Sequence, residues 1–238
     1  MTQADPAARA RTVTSHLHVP LMLALTFATG IIDAVGYLGL DRVFTGNMTG
    51  NVVVLGMGLV GADDLPVRGP FVALVCFMAG AALAGVVLRQ ETAGWSSRTT
   101  TLLTAGGLLM AAIAVALLVI DLDPGVALTV TGLLGLAMGL QAGTARHVAV
   151  KDVTTVVVTS TLTGLAFDAA PGTDGAALWR RRAGAVVLIL LGASVGALLL
   201  RWHPGAGIGL AALITLAVAL LGHRVLRRTP PTTAGGPA

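Results

Sequence analysis

Runs of mostly apolar residues, each close to the roughly 20 needed for a helix to cross about 30 Å of hydrocarbon, recur along this chain. They are Val19–Leu40, Gly69–Leu88, Thr99–Ile120, Val126–Ala145, Ala183–Leu200 and Gly205–Leu221. Nothing constrains the fold more. A segment in lipid must satisfy its own backbone polar groups, so the spans are helices or a closed barrel, and runs of this length are helical. Composition agrees: 11% of the 238 residues are charged, against about 25% in soluble domains, and mean hydropathy is +0.87. The expected fold is an all-α, polytopic transmembrane bundle.

Between the first two runs lies a polar break, DRVFTGNMTGN (Asp41–Asn51), followed by a shorter apolar run, Val52–Val60. Irregular backbone at membrane depth is tolerated only where it is buried in protein or lines a watery cavity, so this break is a candidate binding or permeation element. A second polar stretch, Arg146–Thr163, follows the fourth run. Val43, Thr45 and Thr49 recur as Val153, Thr155 and Thr159 at an offset of 110 (155 − 45). Gly80 and Arg89 recur as Gly192 and Arg201 at 112 (201 − 89). The chain therefore divides into a polar tail (1–18), a first membrane repeat (19–120), a turn (121–125), a second repeat (126–223) and a disordered tail (224–238).

Basic residues set the orientation. If both short polar-led segments cross, there are eight spans, with nine bases inside and six outside. If both dip in and return, there are six spans, and only Arg42, Arg68 and Arg201 fall outside against twelve inside. The second count follows the positive-inside rule. Each half then carries three spans, an odd number, so the two are inverted repeats with both termini cytoplasmic. Two short interrupted or re-entrant segments enter from opposite faces.

Asp33 stands about fourteen residues into the first span, roughly 21 Å along the helix. A carboxylate at that depth faces a partner, a cavity or the bundle interior. It is either a coupling or ligand group, or a structural carboxylate bonded to nearby backbone. Thr45, Asn47, Thr49 and Asn51 bring hydroxyls and carboxamides suited to a polar solute or a partly dehydrated ion; the alternative is that they cap the broken helix. In the second half, Gln141 lies within a span, and Thr155, Thr159 and Thr163 belong to a hydroxyl-rich stripe whose members can each bond to the preceding turn. Arg146, His147, Lys151 and Asp152 form a charged cluster expected at the cytoplasmic interface.

Enzyme signatures are out of context. GxSxG at Gly192–Gly196 lies within an apolar span, and GxGxxG at Gly56–Gly61 follows no strand. The lone cysteine, Cys76, allows neither an internal disulfide nor a cysteine metal site. No catalysis, cofactor or metal is expected. The basic residues are scattered among short loops, so the sequence pI near 10.5 reflects topology and implies no nucleic-acid partner. The expected partners are the lipid bilayer and a small polar solute or ion, and so short a chain is a candidate homo-oligomer.

GIIDAVGYLGLDRVFTGNMTGNVVVLG (Gly30–Gly56) and GLQAGTARHVAVKDVTTVVVTSTLTGLA (Gly139–Ala166) together resemble the YoaK family of bacterial multi-pass membrane proteins. Asp33, Phe44, Asn47, Thr49, Gly50 and Asn51 stand at the matching positions, and the similarity covers about residues 19–223. Thr45-Gly46 departs from the small residues that the family often carries before the asparagine. The resemblance implies six spans and brings no substrate, reaction or catalytic residue. The expectation is a transporter or channel working by an inverted-repeat mechanism with polar helix breaks at the midplane. The alternative is a membrane-embedded scaffold or partner subunit without transport activity.

Overall fold

The computed structural model describes residues 6–148, 158–167 and 176–228. Within them the chain is helical, with elements α1 (Pro6–Gly39), α2 (Met48–Leu59), α3 (Arg68–Leu88), α4 (Ser97–Ala116), α5 (Pro124–Val148), α6 (Val158–Phe167), α7 (Ala176–Leu200) and α8 (Pro204–Arg228). Six helices contain stretches long and apolar enough to cross a membrane: His18–Gly39, Arg68–Leu88, Ser97–Ala116, Pro124–Val148, Trp179–Leu200 and Pro204–Arg224. These are the six spans expected from the sequence. α1 begins at Pro6, ahead of the boundary read at residue 19, and its membrane-length part starts at His18.

The elements form where local chemistry allows. Ser96 starts α4 with a reciprocal capping box, its hydroxyl accepting from Thr99 N while Thr99 Oγ1 accepts from Ser96 N. Asp123 starts α5 by accepting from Gly125 N at 2.8 Å and Val126 N at 2.9 Å. α2 has 12 residues, so it is roughly 18 Å long, too short to cross a core of about 30 Å.

α1 and α5 lie at the centre. Met22, Leu25, Ile31, Ile32 and Val35 on α1 and Leu134 and Ala137 on α5 are fully buried. α3 and α7 are peripheral, turning Phe71, Met78, Val86, Val187 and Leu190 outward, as lipid-facing helices do. The long helices pair as α1 with α7, α3 with α5, and α4 with α8.

Glycines set the closeness of two of these pairs. A Cβ on Gly30 would run into the Ile189 carbonyl, and one on Gly192 would run into that of Phe27. The α3–α5 pair repeats the device: a Cβ on Gly80 would meet the Leu136 carbonyl, and one on Gly139 that of Phe77. Small residues allow such backbone approach where lipid supplies no hydrophobic drive between helices. Contacts advance together along α1 and α7, from Gly30 beside Ile189 to Gly39 beside Leu200, so the two helices are parallel. The same holds for α3 and α5, from Ala73 beside Gly135 to Ala84 beside Gly143. α4 and α8 run antiparallel, with Ala114 beside Gly205 and Trp95 against Gly222.

Candidate functional site

α1 ends in a reversal. Leu40 N donates to Gly36 O at 3.0 Å and Arg42 N to Tyr37 O at 3.2 Å, while Asp41 and Arg42 take left-handed backbone, with φ of 64° and 57°. Few non-glycine residues adopt that conformation. The turn sends the chain back down the side of α1, so that the Val43 carbonyl lies against Gly36 and its side chain against Gly69 at the start of α3.

Three residues further the loop meets Asp33. Oδ1 of that carboxylate accepts from Thr45 N at 3.0 Å, Gly46 N at 2.7 Å and Asn47 N at 3.3 Å. Backbone donors that would be stranded in lipid are thereby satisfied. Gly46 fits because nothing larger would: a Cβ there would lie 3.0 Å from Thr29 Cγ2, 3.1 Å from Met138 Cε and 3.3 Å from Asp33 Oδ1. Thr29 precedes the last residue of α1 by ten positions (39 − 29), roughly 15 Å and half the ~30 Å core. The loop tip therefore reaches mid-depth.

From the tip the chain climbs out. Asn47 caps α2, accepting from Gly50 N at 3.3 Å. Asn51 closes the loop on itself, accepting from Phe44 N at 2.9 Å and donating to Phe44 O. Phe44 is also stacked on Tyr37, with ring centroids 4.9 Å apart. At the far end of α2, Gly58 packs on Leu65, Pro66 and Val67, just before α3. Residues 41–67 thus leave and rejoin the bundle at the same end, which makes α2 the outgoing limb of a re-entrant loop.

One layer deeper, Gln141 links three helices. Its Nε2 donates to Thr29 Oγ1 at 3.1 Å, and its Oε1 lies 3.5 Å from Thr215 Oγ1. All three side chains are buried. Thr29 and Thr215 also donate to their own helices, at Leu25 O and Ala211 O. Among the described residues, Thr45 Oγ1 and Thr144 Oγ1 are buried with no hydrogen-bond partner, and Asp33 Oδ2 has none.

The structure therefore gathers Asp33, Thr45, Asn47 and Asn51 into one loop, with Gln141 beneath it. Thr49 is exposed on the first turn of α2. Thr155 lies outside the described residues. Thr159 and Thr163 are exposed on α6, where Thr163 Oγ1 donates to Thr159 O at 3.0 Å, and the described part of α6 packs on α7 alone. His147, in the expected charged cluster, has Nε2 3.1 Å from Thr92 O. Sequence reasoning missed Thr29 and Thr215. Thr29 precedes Asp33 by four residues and shares its helical face, a signal that could have found it; Thr215 had none. No group of three or more His, Cys, Asp or Glu side chains fit to hold a metal occurs among the described residues.

Residues 21–221 match the family model described as "Protein of unknown function (DUF1275)". The chain belongs to this family. It is 30% identical over 149 residues to the UPF0700 transmembrane protein YoaK of Bacillus subtilis (strain 168), an alignment covering 62% of this chain and 65% of that relative. No solved structure matches. The family assignment and the six apolar helices make the chain a multi-pass membrane protein.

Proposed function

We propose that this family member is a transporter or channel for a small polar solute or ion in a bacterial cytoplasmic membrane, with its termini on the cytoplasmic side. The observation that carries this reading is the re-entrant loop. A soluble-looking Thr-Gly-Asn tip sits at mid-depth, held on one oxygen of Asp33, while the other oxygen and the Thr45 hydroxyl stay without partners among the described residues. Polar groups that are costly in a membrane commonly mark substrate and ion pathways.

Two inverted repeats fit the helix pairing. Exchanging α1 with α5, α3 with α7 and α4 with α8 turns the α1–α7 contact into the α5–α3 contact and leaves α4–α8 as it is. Broken helices near the midplane of such repeats are where transporters bind their cargo. In this scheme the Asp33 bonds hold the loop closed, and a solute or proton arriving at that carboxylate weakens the hold.

A specific observation favours a second reading, a scaffold or partner subunit: Asn47 and Asn51 spend their side chains on the loop's own backbone, as a purely structural break would. Flux into proteoliposomes, measured with a broad panel of small polar solutes and ions, separates the two. Transport predicts uptake above empty vesicles for at least one solute, changed by about tenfold, or ~1.4 kcal/mol, in Asp33→Asn and Asn47→Ala. Absence of uptake for every solute, from protein that remains folded, supports the scaffold.

A further inference from the structure

A cleft of about 550 Å³ opens at the end of the bundle where α1 finishes and α3 and α5 begin. We infer that this cleft binds a small zwitterion with an apolar side chain, of the α-amino-acid class, its carboxylate on Arg68 and the start of α3, its ammonium on Asp41.

The cationic side of the cleft is Arg68, which has no hydrogen-bond or ion-pair partner among the described residues. It begins α3, whose start lacks any side-chain cap, and Pro70 has no N–H, so Arg68 and Gly69 supply the free backbone donors of that first turn. Positive helix ends and an arginine fork both suit a carboxylate. The N-terminus of α5 in the same region is closed, because Asp123 already caps it.

The anionic side is Asp41, which also has no partner among the described residues. Its neighbour Arg42 is engaged with Asp63, 3.8 Å away. Asp41 and Arg68 line one cleft yet do not pair with each other. Both side chains are solvent-exposed at the cleft, so water serves each charge until a ligand arrives; one that carries both signs replaces that water at both, and one with a single sign leaves the other charge unused.

The remaining wall fixes the rest of the ligand. Leu122 and Leu128 supply apolar surface. Thr131 also lines the cleft, is 1% exposed, and offers a hydroxyl with no hydrogen-bond partner among the described residues. A hydroxyl on the cleft wall can bond to a ligand oxygen. Thr131 is seven residues from Met138 on α5, roughly 10 Å, and the Met138 methyl flanks Gly46. The cleft therefore stands about two helical turns from the loop tip, as a vestibule distinct from the Asp33 site.

Calorimetry on the purified full chain in lipid-free detergent tests this, with leucine, leucinol and 4-methylpentanoate as probes. Leucine should bind, and both analogues should bind at least about tenfold more weakly, each lacking one charge. Arg68→Gln and Asp41→Asn should each raise the leucine Kd about tenfold or more, and Thr131→Val by a smaller factor, while Arg89→Gln, at the opposite end of α3, leaves it unchanged. No leucine binding by folded protein, equal binding of either analogue, unchanged affinity in the two charge variants, or binding of phosphatidylethanolamine with none of leucine overturns the inference. Binding is read without flux. A protein that binds leucine but transports nothing loses the transport reading and keeps this one.

Discussion

The two polar stretches of the chain are made of similar residues, and the described parts of the two make different bonds. In the first, Thr45, Gly46 and Asn47 hand their amides to a carboxylate on the neighbouring span, and Asn51 ties the loop to itself. In the described part of the second, Thr159 and Thr163 are exposed, and the bond between them stays within one helix. The counterparts of Thr45, Gly46 and Asn47, residues 155–157, lie outside the described residues, but the neighbouring span differs at one position. Asp33 is the in-span carboxylate of the first half, whereas the residue 110 further on (143 − 33) is Gly143, packed against Ala81 and Ala84. Threonines alone satisfy themselves on the preceding turn; an acceptor on another helix is what draws a loop to mid-depth. The halves can share a helix-packing plan and still differ in the in-span residue that each offers to a loop.

Substitutions that remove the holding groups sharpen this contrast. Asp33→Ala strands the buried amides of Thr45 and Gly46 and frees that of the exposed Asn47, and at about 1–3 kcal/mol for each of the two buried groups the loss should be roughly 2–6 kcal/mol, read by SDS titration of the detergent-solubilised protein. Asn51→Ala breaks two bonds to Phe44 and should cost about 2 kcal/mol in the same titration. Thr163→Val, in the second stretch, should change stability by no more than ~0.5 kcal/mol. If Thr163→Val cost as much as Asn51→Ala, the two stretches would be equivalent after all.

Much of the fold was legible because lipid enforces it. Span lengths, the odd number of spans in each half and the position of the polar break follow from runs such as Gly69–Leu88 and from the arginines that interrupt them. The glycines that let α3 approach α5 were readable as small-residue faces at Gly80 and Gly85, although the structure uses Gly80 and leaves Gly85 without a neighbour. The candidate site was legible in part. The motif singled out Asp33, Asn47 and Asn51, but not that one oxygen of Asp33 takes three loop amides, since that depends on the left-handed turn at Asp41 and Arg42. Gln141 was visible as a polar residue in a span, while its partner Thr215 is 74 residues away (215 − 141). The cleft at Asp41 and Arg68 joins three helix ends, and no local pattern announces such a meeting.

Residues 41–67 return to the end of the bundle they left. Single cysteines placed at Ala62, Ala93 and Trp202 in a Cys76→Ser background, probed in oriented vesicles with a membrane-impermeant thiol reagent, test it directly. The re-entrant loop predicts that Ala62→Cys and Trp202→Cys label from one side and Ala93→Cys from the other. Labelling of Ala62→Cys from the side opposite to Trp202→Cys would mean that α2 crosses the membrane, and would contradict the account.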